Sequence, residues 1–206
     1  MASTWLHLIS HGEVPGAAEG RFVGHTDPPL SEAGLDQMRR VGQALAGLPI
    51  EGLYSSDLLR ARQSAAEVAR PLGLEPVAVP ALREMAMGRW EGLTFREIAE
   101  QDPEGFREWM ARLDTFAFPD GESLLDLRAR VLPALQAILD RHAGRRVAVV
   151  AHGGPNRVIL AEALGLPLAH LLRLGQGYGA LNLIEYRADG AIVHRLNQPP
   201  EADHAG

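Results

Sequence analysis

The chain has 206 residues, of which 46% are hydrophobic, so it can bury the core of one ordinary domain. It contains no cysteine, which excludes disulfides, thiolate zinc sites and cysteine nucleophiles, and its formal net charge of −6 argues weakly against nucleic acid or an anionic membrane as the main partner. All 20 basic residues are arginine, so the cation that binds an anionic substrate must be an arginine, a protonated histidine or a metal.

The N-terminal part of the chain predicts alternating strands and helices. Short apolar runs that end at a polar residue or a glycine are typical of buried strands, whereas apolar residues spaced three or four apart are typical of helices. In chain order we predict a central strand at residues 4–10, a Gly- and Pro-rich loop at 12–29, a helix that Ser31 caps, a short strand at 53–55, a helix that Ser56 and Asp57 open, and a third strand at 77–79.

Residues 83–120 differ from the rest of the chain. They contain Trp90 and Trp109, short helical stretches interrupted by polar residues, and breaks at Gly92 and Pro103. This pattern predicts a peripheral helical insertion that forms a lid over the substrate crevice.

The alternation of elements resumes after the insertion. In chain order we predict a helix at 122–141 that Pro133 kinks or interrupts, a strand at 146–151, a helix with Pro155 in its first turn, a hairpin of strands at 181–186 and 191–196, and a polar, mobile tail at 197–206. Strands that alternate with helices indicate an α/β fold, here a three-layer α/β/α sandwich with a mostly parallel sheet. We expect one domain over residues 1–206.

Two histidines mark the predicted functional edge of this sheet. His11 and His152 each follow an apolar strand and precede glycine. Ligands of open α/β sheets bind beyond the carboxyl ends of the strands. The two imidazoles are therefore expected to meet in one crevice.

Neighbouring residues suit a phosphate in that crevice. Arg60 falls in the first turn of a predicted helix, where free backbone N–H groups favour an anion, and Gly153 allows a similarly close approach at another helix start. A neutral imidazole is a competent nucleophile toward phosphorus, and the leaving alkoxide needs a proton donor such as a carboxylic acid. Glu13, Glu84 and Glu91 are candidates for that donor, and spacing alone does not choose among them.

The motifs of the chain resemble the histidine phosphatase superfamily, the phosphoglycerate-mutase-like group, over nearly its whole length. The matching strings begin at Leu8, Gly24, Ser55, Leu82, Gly121 and His152, in the order of the family. The resemblance implies that His11 is phosphorylated, that Arg60 and His152 hold phosphoryl oxygens, and that Glu84 protonates the leaving group and then activates water. It implies no metal and no organic cofactor.

Further residues are expected to contact the substrate. They are Ser10, Gly12, Arg21, Gly24, His25, Thr26, Arg83 and Gly153. The loop at residues 20–31 is similar to that of α-ribazole phosphatases of cobalamin biosynthesis, and broad-specificity and phosphoserine phosphatases share much of it. The resemblance thus implies a hydrolase of a small phosphorylated metabolite, for which α-ribazole 5'-phosphate is one candidate, and a mutase is the weaker alternative.

Ser10 departs from the family motif, which has an arginine before the histidine. In the family that arginine contacts phosphate, and a neutral serine hydroxyl is not an equal replacement. Three explanations stay open: a deliberate mutation that weakens turnover, compensation by Arg21 or Arg83, and drift toward a protein that binds a phosphorylated ligand without efficient turnover.

The remaining expectations concern partners and location. Neither a signal peptide nor an apolar run of membrane-spanning length is visible, so we expect a cytoplasmic protein with no membrane partner. The expected partner is a small phosphorylated substrate, with a homodimer as an open option.

Overall fold

The computed structural model of the chain describes residues 2–199. Its strands are β1 (Thr4–Ser10), β2 (Ile50–Ser55), β3 (Val77–Ala78), β4 (Arg146–Ala151), β5 (Leu181–Arg187) and β6 (Gly190–Gln198). Its α-helices are α1 (Glu32–Leu45), α2 (Leu59–Leu72), α3 (Phe95–Gln101), α4 (Pro103–Ala111), α5 (Leu124–Arg141) and α6 (Gly153–Leu164). Short 3-10 turns lie at Ala17–Glu19, Pro80–Leu82, Gly88–Trp90 and Leu168–Arg173.

One sheet contains the strands in the order β3-β2-β4-β1-β5-β6. The first four strands are mutually parallel, whereas β5 pairs antiparallel with β1 and forms a hairpin with β6. The predicted α/β class, with a mostly parallel sheet, is confirmed. Because β1 and β4 are parallel neighbours, with Ser10 opposite Ala151, the residues that follow them emerge side by side.

The helices cover both faces of the sheet and make it the middle layer. Successive side chains of a strand point to opposite faces, so Leu8 packs in the cluster that contains α5 and α6, and Ile9 packs in the cluster that contains α1 and α2. Burial on both faces explains why β1 and β4 are nearly continuous apolar runs.

The structure corrects several of the predicted element boundaries. Helix α2 begins at Leu59 rather than after Ser56, because Ser56 still pairs with Val150 and its hydroxyl accepts the Leu58 N–H. Pro133 does not interrupt helix α5, which continues through it to its end at Arg141. Buried apolar residues on both sides of the proline, Val131 and Leu135 among them, hold this helix against the core.

The predicted tail is also shorter than expected. Asn197 and Gln198 belong to β6, where the Asn197 N–H donates to the Asn182 side chain at 2.8 Å. Residues 200–206 lie outside the described part of the chain.

Residues 83–120 form α3, α4 and a 3-10 turn rich in aromatic contacts. Ring centroids lie 5.2 Å apart for Trp90 and Phe118, 5.6 Å for Phe22 and Trp109, and 4.9 Å for Phe22 and Phe95. This aromatic cluster ties the insertion to the loop that carries Phe22. Among residues 2–199, no helix combines the length and the apolarity needed to cross a membrane.

Candidate active site

The structure brings His11 and His152 together at the carboxyl ends of β1 and β4. The His11 N–H donates to the Ala151 carbonyl at 3.0 Å, and the two imidazole rings approach edge to face with centroids 5.0 Å apart. His11 lines a cavity of about 380 Å³, and His152 lies fully buried beside it.

The contacts of His11 define its tautomer. Its Nδ1 lies 2.7 Å from the Gly12 carbonyl oxygen, which can only accept, so Nδ1 carries the proton and Nε2 keeps a free lone pair. Burial, and then the positive charge of Arg60, lower the pKa of His11 to about 3. The imidazole is therefore neutral near pH 7, as a nitrogen nucleophile requires.

His152 has unused hydrogen-bonding capacity. Neither ring nitrogen has a partner among the described residues, although the side chain is fully buried. Burial, followed by electrostatic interaction with the titrating ring of His11 and with the charge of Arg60, holds the pKa of His152 well below the usual range, so its neutral ring offers one donor and one acceptor. Buried polar groups nearly always have partners, which makes this ring a fitting neighbour for a phosphoryl oxygen.

Arg60 is also buried, with 1% exposure, but most of its donors are engaged by the preceding loop. Its guanidinium donates to the carbonyls of Thr26 at 2.8 Å and Gly24 at 2.7 Å, and it lies 3.6 Å from the Asp27 carboxylate. Its Nε has no partner among the described residues. Arg60 thus stabilises the loop, and its positive charge helps to lower the pKa of both His11 and His152.

Glu91 holds the same loop from the other side. Its carboxylate accepts from the backbone N–H groups of Gly24 and His25, and from the Thr26 hydroxyl at 2.8 Å. Burial opposes ionisation here, but these hydrogen bonds outweigh it and keep the pKa of Glu91 below its usual value. Glu91 is therefore occupied in supporting the loop.

Of the three carboxyl groups considered as proton donor, Glu84 is the one that lines the cavity. Both of its oxygens lie 3.1 Å from the Gly154 N–H at the start of α6, and one accepts from the Met85 N–H. Glu13 instead accepts from the hydroxyl of Ser31, the N-cap of α1. The tertiary structure thus separates three glutamates that sequence spacing leaves equivalent.

The residues predicted to bind substrate divide into two groups. Ser10, Arg21 and Gly153 line the cavity. The other predicted residues lie outside its lining: Gly12, Gly24, His25, Thr26 and Arg83. Gly12 packs against α1, where a Cβ on it would lie 2.5 Å from the Gly34 carbonyl oxygen. The residues of the loop at 24–26 contact Arg60 and Glu91, and His25 also donates through Nε2 to the Glu84 carbonyl. Their expected contact with substrate stays a prediction.

Arg21 and Arg83, the arginines proposed to compensate for Ser10, are engaged elsewhere. Arg83 forms two 2.7 Å hydrogen bonds with the carboxylate of Asp57. Arg21 donates to Glu19, to Glu97 and to the Gly92 carbonyl. Both side chains also keep substantial exposure, about 40%.

The wall of the cavity is mainly apolar. Its hydrophobic and aromatic residues are Val14, Phe22, Val23, Met85, Met87, Phe95, Trp109, Leu113, Phe118, Leu124, Leu171, Leu172 and Tyr178. Several come from the predicted lid segment, so these aromatics both pack on one another and face the cavity. Among residues 2–199, no cluster of three or more His, Asp or Glu side chains could hold a metal ion.

Three polar residues of the cavity were given no role by the sequence analysis. Tyr178, whose ring centroid is 5.5 Å from that of His11, and Gln176 follow an irregular segment that gave no periodic signal. Arg157 had a usable signal, because it lies four residues after Gly153 and therefore shares a face of α6 with it.

Comparisons with known proteins identify the family of the chain. The family model of the histidine phosphatase superfamily (branch 1) matches residues 6–199. The chain is 31% identical to phosphoserine phosphatase 1 of Hydrogenobacter thermophilus over 192 residues. This match covers 93% of the chain and 91% of that protein. A second relative is the bifunctional protein Rv2228c of Mycobacterium tuberculosis, to which the chain is 38% identical. This match covers 94% of the chain but only 53% of Rv2228c.

A solved structure has the same architecture. A candidate α-ribazole-5'-P phosphatase of Escherichia coli superposes with a TM-score of 0.85 at 26% identity, over 96% of each chain. With the family match over residues 6–199, this chain belongs to the histidine phosphatase superfamily and is a phosphatase.

Proposed function

We propose that this phosphatase hydrolyses phosphomonoesters of small alcohols that carry an apolar ring, through a phosphohistidine formed on His11. One observation carries the proposal: a neutral His11, whose Nδ1 is occupied by the Gly12 carbonyl, shares a cavity with the carboxyl group of Glu84.

In the first step, Nε2 of His11 attacks phosphorus and the bond between phosphorus and the ester oxygen breaks. The carboxylic acid form of Glu84 gives its proton to the leaving oxygen. In the second step, the Glu84 carboxylate takes a proton from water as the water oxygen attacks phosphorus. The phosphorus–nitrogen bond breaks, inorganic phosphate leaves, and the imidazole is restored.

Arg60 and His152 supply the electrostatic part of the mechanism. Phosphoryl transfer depends on the positioning and charge stabilisation of the phosphoryl oxygens more than on covalent chemistry. The Nε of Arg60 and the ring nitrogens of His152 have no partner among the described residues. Both side chains are buried outside the cavity lining, so a small side-chain shift on substrate binding would bring them to such oxygens.

The apolar wall supports a ring-bearing leaving group. A benzimidazole nucleoside such as that of α-ribazole 5'-phosphate would contact Phe22, Trp109 and Phe118, which would place the protein in cobalamin biosynthesis. The similarity to the Escherichia coli candidate α-ribazole-5'-P phosphatase supports this assignment. Of the two arginines that line the cavity, Arg21 is already engaged by Glu19 and Glu97, so a substrate with a free carboxylate would have to pair with Arg157.

The second candidate function is that of a slow or inactive binder of phosphorylated ligands, which Ser10 favours. Turnover of p-nitrophenyl phosphate by the wild type and by His11→Ala separates the two. His194→Ala serves as the matched control, because His194 hydrogen-bonds Glu185 on the sheet edge. Hydrolysis that His11→Ala abolishes and His194→Ala retains supports the enzyme, whereas tight ligand binding without wild-type turnover supports the binder.

The substrate assignment has its own test. Purified protein would be compared on α-ribazole 5'-phosphate, phosphoserine and 3-phosphoglycerate at equal concentrations. A higher kcat/KM for α-ribazole 5'-phosphate is expected from the apolar wall. A preference for either carboxylate-bearing ester would contradict the assignment.

A further inference from the structure

We infer that Arg157 supplies a guanidinium to the transferring phosphoryl group, in a cavity where Ser10 offers only a hydroxyl. The inference rests on the proposed function, because it adds a contact to the same phosphoryl site. It differs from the compensation expected from the sequence, which involved Arg21 or Arg83.

The position of Arg157 is set by contacts on both sides of its side chain. Its Nε donates to the Leu174 carbonyl at 2.8 Å, which anchors the guanidinium. A Cβ built on Gly153 would lie 2.8 Å from Nη1 of Arg157 and 3.7 Å from Oε2 of Glu84. The guanidinium therefore lies over Gly153, close to the Glu84 carboxylate, and the missing side chain at residue 153 is what leaves room for it.

The terminal nitrogens of Arg157 are free within the described part of the chain. Neither Nη1 nor Nη2 forms a hydrogen bond or an ion pair with any residue there, although the side chain is mostly buried and lines the cavity. Burial lowers the pKa of Arg157, and the nearby negative charge of Glu84 opposes that shift, so the group stays charged. A charged, largely desolvated donor with unused N–H groups is an effective ligand for phosphate.

The other arginines near the site have fewer free donors. Arg60 is committed to the loop carbonyls, and Arg83 to Asp57. Arg130 donates to Glu122 and to the carbonyls of Ala81, Arg83 and Glu84. Arg157 is thus the guanidinium whose two outer nitrogens can turn to a phosphoryl oxygen without breaking a contact shown in the structure.

Two other roles for Arg157 must be distinguished from this one. Arg157 could act through Glu84 by stabilising its carboxylate, or it could bind a carboxylate on the substrate. The first role would shift the pH profile without changing affinity for phosphate. The second would affect phosphoserine and spare p-nitrophenyl phosphate, which has no carboxylate.

The test combines kinetics with binding of inorganic phosphate. For the wild type, Arg157→Ala and Arg157→Lys we would measure kcat and KM with p-nitrophenyl phosphate and with phosphoserine, the pH profile with p-nitrophenyl phosphate, and the inhibition constant of inorganic phosphate. Arg128→Ala is the matched control, because Arg128 lies on α5 and pairs with Glu162 on the exposed side of α6. Thermal unfolding would establish that each variant is folded.

We expect Arg157→Ala to lower kcat/KM about ten- to one-hundredfold and to weaken inhibition by phosphate, as the loss of a charged hydrogen bond would. Arg157→Lys should restore part of both, and Arg128→Ala should match the wild type. In a Ser10→Arg background, the loss caused by Arg157→Ala should shrink, because a second guanidinium would then contact the same oxygens.

Three results would overturn the inference. These are unchanged phosphate inhibition in folded Arg157→Ala, a change confined to the pH profile, and a loss seen with phosphoserine but not with p-nitrophenyl phosphate. Failure of the proposed function would look different: the wild type would not turn over, yet calorimetry would still show phosphate binding that Arg157→Ala weakens.

Discussion

Replacing Ser10 by arginine is expected to raise kcat/KM for p-nitrophenyl phosphate at least about tenfold. Ser10 ends β1, directly precedes His11, and lines the cavity with 3% exposure. Its hydroxyl offers one neutral donor, whereas a guanidinium offers several charged ones in a planar fork that matches phosphate. The substitution therefore adds charge where the transferring group is proposed to sit.

The magnitude follows from the difference between neutral and charged hydrogen bonds. A neutral bond contributes about 0.5–1.5 kcal/mol and a charged one about 1.5–3 kcal/mol, so two charged bonds to phosphoryl oxygens gain about 2–3 kcal/mol over two neutral ones. Desolvation offsets part of this gain, as it does for Arg60 and Arg157, whose pKa values burial lowers. A remainder of about 1.4 kcal/mol corresponds to a tenfold gain in rate.

The assay is steady-state hydrolysis of p-nitrophenyl phosphate by the wild type, Ser10→Arg and the uncharged control Ser10→Gln. Ser10→Gln adds length without charge, so it should gain little. An unchanged or lower kcat/KM in folded Ser10→Arg would refute the reasoning, and an equal gain in Ser10→Gln would show that charge is not its source.

Three further changes test the acid, the nucleophile and the cavity wall. Glu84→Gln should lower kcat/KM, which reports the first step, by about 10²–10⁴ for alkyl phosphates but far less for p-nitrophenyl phosphate, because nitrophenolate leaves without a proton, whereas kcat should fall for both esters because Glu84 also activates water; equal losses of kcat/KM on both esters would remove Glu84 as the acid. Unfolded His11 takes up a proton below pH 6.5, whereas folded His11 does so only near pH 3. As the pH is lowered from 6.5 to 3, the wild-type free energy of unfolding should therefore decrease by up to about 1.4 kcal/mol per pH unit from this residue. Denaturant titrations of His11→Asn should lack that contribution, and identical slopes would contradict the low pKa. Trp109→Ala should destabilise the protein by about 3–5 kcal/mol in denaturant titrations and raise KM for aromatic phosphates, since Trp109 is 5% exposed and lines the cavity; an unchanged KM would argue against a ring-bearing substrate.

Local sequence patterns were sufficient for the fold class and for the meeting of the two histidines. The apolar runs before His11 and His152 identify two buried strands, and parallel strands bring their carboxyl ends to one edge of the sheet. The boundaries were less accurate where a tertiary hydrogen bond competed with helix formation. Ser56, for example, pairs with Val150 instead of opening α2.

Side chains that reach the site from separate elements were not predictable in the same way. Glu13, Glu84 and Glu91 look alike in the sequence, but their partners are Ser31, the Gly154 N–H and the loop at Gly24, respectively. Those partners lie 18, 70 and 67 residues away along the chain. No periodicity of 2 or 3.6 residues extends over such distances.

The amino-acid sequence by itself determined the alternation of strands and helices, the mostly parallel sheet and the two imidazoles at its edge, because these depend on short-range periodicity and on which residues end a strand. Only the tertiary structure decided that Glu84 rather than Glu91 or Glu13 lines the cavity, that Arg21 and Arg83 are engaged by acidic neighbours, and that Arg157 keeps free donors over Gly153. The physical reason is that a charged side chain is directed by the hydrogen-bond partners that folding brings to it, and those partners come from distant parts of the chain.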